Sequence, residues 1–202
     1  MKIRLALTSI VAASVFPIFG GQAKQAQQTE PFGLRMGMEK AEVIASVGPN
    51  SVEKDFGDVL ILTTAPKPDA NFAGYVVLVP PETGVAKVIG VSKDVTTNSS
   101  GELLQNKFNE FRASLETNYG KATVVLDFLM PGSTWNEPSD WMMALLNCER
   151  TLLAGWEPDE QGVSVTETAH ATSRETGFVT VTYEFPNFLL WKQEHSQKKV
   201  KI

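Results

Sequence analysis

The clearest evidence for the architecture lies in residues 162–186, which read GVSVTETAHATSRETGFVTVTYEFP. Two runs in which apolar and polar side chains alternate, residues 162–172 and 178–186, flank the turn-forming residues 173–177. Alternation over such a length is typical of β-strands, and a short polar connection between two of them is typical of a hairpin. We therefore predict an antiparallel hairpin near the C-terminus.

The side chains of this hairpin divide between two faces of different chemistry. With Thr172 placed opposite Phe178, one face is apolar apart from Glu167, and the other carries mainly threonines and His170. An antiparallel sheet that packs on one side and meets solvent on the other shows this division. We predict that the apolar face is the one covered by the rest of the chain.

Further strands are predicted from apolar runs separated by turn formers. A Gly-Asp pair at 57–58 and a Pro-Glu-Thr-Gly turn at 81–84 each separate two such runs. The predicted strands before the C-terminal hairpin are residues 52–56, 59–64, 72–80, 85–95 and 121–129.

Helices are predicted where apolar residues recur every three or four positions. The clearest case runs from Leu104 to Tyr119, with Gly120 following as a C-cap. The predicted helices are residues 38–47, 102–119, 138–154 and 187–197.

Helices and strands follow one another in runs rather than in βαβ alternation, which favours an α+β fold. We predict an antiparallel sheet of about five to seven strands with three to four helices packed on one face. No internal repeat is evident in the sequence. A length of 202 residues suits one domain, which we assign to residues 32–195.

The N-terminus has the pattern of a secretory signal peptide. Basic residues Lys2 and Arg4 precede an apolar run over residues 5–19, and small residues follow up to Ala23. The run is too short to span a bilayer, which takes about 20 apolar residues. We predict a signal peptide over residues 1–23, with cleavage near Ala23 and a periplasmic or secreted product.

The residues flanking the domain are polar. Residues 24–31 are rich in glutamine and are predicted to form a disordered leader, and residues 196–202 a flexible basic tail. The formal net charge is −5, and it becomes −7 once Lys2 and Arg4 are removed. An acidic surface disfavours nucleic acid as a partner. After cleavage no transmembrane segment is expected, and another envelope protein is the partner class that we consider.

The opening segment, FGLRMGMEKAEV at residues 32–43 closed by Gly48-Pro49, resembles the first helix of two groups of exported bacterial proteins. These are the outer-membrane-assembly small lipoproteins and the β-lactamase-inhibitor-protein-like domains. The resemblance implies helices set against an antiparallel sheet and a role in binding other proteins. The chain departs from both groups, because it has no lipoprotein cysteine and its one cysteine, Cys148, allows no disulfide framework.

The rest of the chain, with Tyr75, residues 118–120 and residues 183–185, is similar to uncharacterised exported proteins of Gram-negative bacteria. That similarity implies a compartment and no particular activity.

His170 and Glu184 are the candidate catalytic residues. Both lie on the polar face of the predicted hairpin, and a histidine beside a carboxylate can serve in acid–base catalysis. No nucleophile motif accompanies them, and a solvated or partner-facing histidine is the simpler interpretation. Cys148 falls on the apolar side of the predicted 138–154 helix, where a free cysteine acts as a small apolar side chain.

Tryptophans are the candidate binding residues. Trp135 lies in a loop rich in Gly, Pro and Ser, and Trp141 closely follows it. Tryptophan is enriched at binding hot spots, although it is also ordinary core material. Histidines and cysteine are too few and too scattered to predict a metal site, and no cofactor motif is found.

Three functions stay open on this evidence. The first is a non-catalytic binding or accessory module for another envelope component. The second is a periplasmic hydrolase with a site around His170 and Glu184, which would require a cleft on the polar face of the hairpin. The third is an inhibitor or immunity-like protein, which differs from the first only in its target.

Overall fold

A computed structural model describes residues 30–199 of the chain, with side chains to residue 193, and shows four α-helices and a nine-stranded antiparallel sheet. The predicted α+β class with an antiparallel sheet is confirmed, with more strands than expected. The predicted signal peptide, leader residues 24–29 and tail residues 200–202 lie outside the described residues. Pro31, assigned to the leader, is buried in a short 3₁₀ turn.

The helices and strands occur in two similar series along the chain. The helices are α1 (Lys40–Val47), α2 (Glu102–Tyr119), α3 (Trp141–Leu146) and α4 (Pro186–Lys199). The strands are β1 (Val52–Asp55), β2 (Val59–Leu62), β3 (Phe72–Leu78), β4 (Lys87–Ser92), β5 (Val95–Thr96), β6 (Val124–Leu129), β7 (Arg150–Trp156), β8 (Ser164–Ala171) and β9 (Thr176–Glu184).

The sheet consists of two four-stranded meanders joined through their last strands. The order across it is β1-β2-β3-β4-β9-β8-β7-β6. The short strand β5, which follows β4 in the chain, also pairs with β9. Each meander follows a helix, α1 before β1–β4 and α2 before β6–β9, so the chain repeats one topology that its sequence does not reveal. The two halves meet where β4 runs antiparallel to β9, from Lys87 opposite Glu184 to Val91 opposite Thr180.

One continuous core lies between the sheet and helices α1 to α3. Helix α2 covers β8 and β9 with four buried side chains, and Val43 of α1 joins the same apolar cluster. Those four are Leu104, Phe108, Phe111 and Leu115. Helix α4 is different, because Phe188 packs on Leu78, whose side chain points to the opposite side of β3 from the core residue Val77.

Helix α2 begins and ends at the residues predicted. Asn98 Oδ1 accepts a hydrogen bond from the Glu102 N–H at 3.1 Å, and Thr97 Oγ1 accepts one from the Leu103 N–H at 3.0 Å. These side chains satisfy two of the four N–H groups that an α-helix leaves free at its start.

The predicted helix over 138–154 is wrong beyond Leu146. Residues 150–156 form β7 instead, with Leu152, Ala154 and Trp156 buried at every second position. The apolar run fits both a helical and a strand period, and pairing with β6 and β8 decides between them. The turn between α3 and β7 places Cys148 at φ 59°, exposed rather than in the core.

The C-terminal hairpin forms with its predicted faces but with a different register. Ala169 lies opposite Val179, whereas the expected pairing put Val181 there. Because the shift is two residues, every side chain keeps its face. The covered face therefore contains Glu167, fully buried beneath α2, with no hydrogen-bond partner for either carboxylate oxygen.

Burial raises the pKa of Glu167 from 4.5 to about 8; the charge of Arg112 opposes the shift, and that of Glu116 adds to it. Between these two values the folded protein holds a proton that the unfolded chain releases. Stability should therefore fall as pH rises from about 4.5 to about 8, by a few kcal/mol at about 1.4 kcal/mol per pKa unit.

We expect Glu167→Gln to remove this part of the pH dependence, because the amide does not ionise. The measurement is the free energy of unfolding in urea at several pH values between 5 and 8, taken as the difference between wild type and variant. Glu175→Gln, at an exposed turn residue, should keep the wild-type slope. A difference that does not vary with pH would contradict the assignment.

Gly101 precedes α2 at φ 71°, and a Cβ there would lie 2.3 Å from the buried ring of Trp141. Gly101 has a left-handed backbone (φ 71°, ψ 19°), which alanine adopts at a cost of about 1 kcal/mol. Gly101→Ala should lose about 1–3 kcal/mol more than that, because it also overpacks the core. Gly120 follows α2 with no atom within 4 Å of such a Cβ, but its backbone at φ 79° and ψ −173° is one that essentially only glycine adopts, so Gly120→Ala should lose about 1–3 kcal/mol from the backbone alone. A loss of no more than about 1 kcal/mol for Gly101→Ala in thermal or urea unfolding would show that the Trp141 contact does not matter.

Candidate functional site

We call the sheet surface opposite α2 the open face. The strand registers align its side chains in rows that cross the sheet. One row contains Leu126, Leu153, Thr168, Thr180 and Val91, and the next contains Val124, Gly155, Thr166, Thr182, Ile89 and Val76.

These two rows carry no ionisable side chain across five and six strands, although charged residues make up 20% of the sequence. Threonines occupy β8 and β9 in the middle, and aliphatic side chains occupy β6 on one side and β4 on the other. The threonine side chains are half-buried, as expected of a solvent-facing side of a sheet. The result is a broad surface of hydroxyl and methyl groups without charge.

The charged groups of the open face lie at its margin. Lys87 Nζ and Glu184 Oε1 are 2.8 Å apart on neighbouring strands, and the same ammonium lies 5.0 Å from the centre of the Phe188 ring. Because each charge has its partner, this corner presents little net charge. Helix α4 covers the sheet beside it through Phe188 and Trp191.

His170 lies at another margin of the open face, held by its neighbours. Its ring stacks on Phe178 with 4.9 Å between ring centres, and Nε2 lies 2.9 Å from Thr180 Oγ1. The Thr180 hydroxyl also lies 3.5 Å from the Thr168 carbonyl oxygen, so it contacts both strand β8 and the imidazole. Burial lowers the pKa of His170 below its usual 6.5, so the ring is neutral at pH 7.

The structure does not bring His170 and Glu184 together. His170 pairs with Phe178 and Glu184 pairs with Ser164, at opposite ends of the hairpin. The six residue steps from Phe178 to Glu184 span about 20 Å at about 3.3 Å per step. No acid–base pair can form across that distance.

His170 instead shares a cavity of about 230 Å³ with Cys148 and Arg150. The cavity lies where α3 passes into β7, at the edge of the open face. Arg150 Nη1 is hydrogen-bonded to Asp127, and its guanidinium also lies over the Trp141 ring. A thiol and an imidazole therefore line one depression, which the predicted 138–154 helix would not have placed together.

The two candidate tryptophans have different positions. Trp141 is 6% exposed and packs in the core against Gly101, so it cannot contact a partner, and its prediction as a binding residue is corrected. The apolar pattern of α3 accounts for its burial. Trp135 is half-buried in the loop after β6, where its backbone N–H donates to Ser133 Oγ at 3.1 Å.

A second cavity, of about 340 Å³, lies on the opposite side of the sheet beside α2. Its wall combines Phe32, Phe72 and Phe111 with polar side chains that bind one another. Lys107 Nζ donates to Asn71 at 3.1 Å and to Glu110 at 3.2 Å. Lys107, Asn71 and Glu110 thus satisfy one another, whereas Ser114 and Asn118 also line the cavity.

Sequence reasoning recognised the polar side of the hairpin but not the extent of the open face. The rows depend on β6, β7 and β4 lying in order beside the hairpin, and no local pattern specifies that order. The available signal was the absence of charge at alternate positions of four separate strands.

No family model, curated protein or solved structure matches this chain. Within residues 30–199 no helix is long and apolar enough to cross a membrane. In the same part of the chain, no three or more His, Cys, Asp and Glu side chains are grouped so that they could hold a metal ion.

Proposed function

We propose that this chain is an exported, non-catalytic binding module that presents its open face to another protein of the cell envelope. The observation that carries the proposal is the pair of rows without ionisable side chains on an acidic protein. The centre of a protein interface is depleted in charge, because burying an unpaired charge is costly. Exposed apolar side chains on β6 extend this surface to the sheet edge.

The predicted signal peptide supports the compartment. The resemblance of residues 32–49 to protein-binding envelope proteins supports the class of partner. The alternative hydrolase loses its proposed pair of catalytic residues, because His170 and Glu184 lie at opposite ends of the hairpin. An inhibitor or immunity-like role is the same binding function with an enzyme as the partner.

Cleavage of the predicted signal peptide would remove the first 23 residues. We expect the protein recovered from the periplasm to begin at Lys24, because Gly21 and Ala23 fit the −3 and −1 positions of a cleavage site. N-terminal sequencing and intact mass measure this. An uncleaved chain retained in the cytoplasm would contradict the localisation.

Site-specific photocrosslinking tests the binding surface. A benzophenone amino acid placed at Thr168 or at Thr180 should capture one and the same envelope protein in living cells. The matched controls are Ala113 and Thr117, exposed residues of α2, and they should not capture it. Capture from α2 alone, or different proteins from the two strand positions, would refute the proposed surface.

Thr168→Arg should reduce affinity for the captured protein at least tenfold. A cation buried in the uncharged rows has no partner, and its desolvation costs more than the about 1.4 kcal/mol that corresponds to a tenfold change. Titration with the purified partner measures the loss, and Thr117→Arg on α2 should leave affinity unchanged. If the captured protein is an enzyme, its activity in the complex distinguishes an inhibitor from an accessory module.

A further inference from the structure

The two edges of the sheet differ in chemistry. Edge strand β1 is short, carries Glu53, Lys54 and Asp55 in succession, and is interrupted by a bulge. Edge strand β6 is longer and carries one charge, Asp127, among five apolar residues. Charges, short length and bulges protect an edge from pairing with another chain, so β1 is protected and β6 is not.

Strand β6 is exposed on both faces. Val124 is 52% and Val125 is 53% exposed, although their side chains point to opposite sides of the sheet. Helix α2 lies over β8 and β9, and α3 lies over β7 and β8, so β6 extends beyond the layer of helices. A further strand could approach its free edge without displacing either helix.

The register with β7 identifies the backbone groups at this edge. The Met130 N–H donates to the Glu149 carbonyl at 2.7 Å, and the pairing continues with Phe128 opposite Thr151 and Leu126 opposite Leu153. Because hydrogen-bonded and non-hydrogen-bonded pairs alternate in an antiparallel ladder, the even-numbered residues bond to β7. The N–H and C=O groups of Val125, Asp127 and Leu129 therefore point away from the sheet.

We propose that a second copy of this chain pairs with β6, strand against strand and antiparallel, about a two-fold axis at Leu126. In this register Leu126 lies opposite Leu126 of the second copy, and Val124 lies opposite Phe128. Val125 exchanges two backbone hydrogen bonds with Asp127 of the second copy, and Asp127 with Val125. The strand is thus complementary to itself in side chains and in backbone groups.

Charge and proline disfavour two of the other symmetric registers. An axis at Asp127 would place two carboxylates directly opposite each other, which is unfavourable. An axis at Phe128 would place Val125 opposite Pro131, which has no N–H to donate. The Leu126 register avoids both, and its two-fold symmetry closes the contact so that no open chain of copies forms.

This dimer does not depend on the proposed function. It is held by backbone groups at the edge of β6, whereas the proposed partner binds the open face centred on β8 and β9, so either can fail without the other. Pairing would place the open faces of the two copies side by side in one continuous sheet. A partner that recognises the face would then meet two binding surfaces in a fixed relation.

Disulfide trapping tests the register. In a Cys148→Ser background of the full exported chain, Leu126→Cys should cross-link to its own copy under mild oxidation. The two residues form a non-hydrogen-bonded pair with Cα atoms about 4.5 Å apart, which a disulfide can bridge. Asp127→Cys and Phe128→Cys should not cross-link, because their partners are Val125 and Val124. Cross-linking of either one in place of Leu126→Cys would overturn the proposed register.

Sedimentation equilibrium tests the association itself. The wild-type protein should pass from monomer to dimer as its concentration rises, and Leu126→Lys should stay monomeric because two lysines would face each other. The matched control is Leu103→Lys on α2, at a leucine that is likewise exposed, and it should dimerise as the wild type does. A wild-type protein that stays monomeric at every concentration would overturn the proposal, whatever the variants do.

Discussion

The pairing of β4 with β9 is the contact on which the rest of the structure depends. It joins the last strands of two meanders that are otherwise separate in the chain, with a run of five residue pairs. The buried Ser92 hydroxyl adds to it by accepting the Val179 N–H at 2.9 Å. Without this seam each half would expose the apolar side chains that the two halves now bury together. Because the seam is continuous, α1, α2 and α3 pack on one sheet and share one cluster of buried side chains.

A single sheet with three helices on one side has a necessary consequence on the other side. The part of the opposite face that α4 does not cover must be compatible with water, and at its centre it meets that requirement with threonines instead of charges. A hydroxyl group can hydrogen-bond to water, and burying it costs less free energy than burying the charge of a lysine or glutamate. The covered side shows the reverse choice at Glu167, where a carboxyl group is buried without a hydrogen-bond partner and its pKa rises to about 8. Ionisable groups thus lie at the margin of the open face, whereas the covered face buries one of them, Glu167, in its interior.

The linear order of strands also produces two unlike edges. The first strand of the first meander, β1, and the first strand of the second, β6, occupy equivalent places at the two ends of the sheet. Equivalent topology would permit equivalent protection, yet β1 is charged and bulged whereas β6 is apolar on both sides. Topology alone therefore does not explain the exposed edge. The apolar composition of β6 is a property of this sequence, and the strand order shows that these apolar residues lie at an edge of the sheet.

Residue patterns within one element were sufficient for much of the fold. The spacing from Leu104 to Tyr119 located α2 to the residue, and the alternation over 162–186 assigned both faces of the hairpin, including the unusual position of Glu167. Predictions failed where a pattern was short or where two elements had to be combined. The run that ends in Trp156 fits two periods, and only its neighbours β6 and β8 make it a strand, which in turn exposes Cys148.

The candidate site shows the same limit. That His170 and Glu184 share a face followed from alternation, whereas their separation followed from the hairpin register. Trp135 and Trp141 were both candidate binding residues in the sequence, and packing against Gly101 buries Trp141. The sequence by itself determined most of the secondary structure and the polarity of each face of the hairpin, because periodicity and composition are local. The tertiary structure decided which strands are neighbours, and hence the uncharged rows, the shared cavity of Cys148 and His170 and the free edge of β6, because pairing between distant segments depends on the whole core.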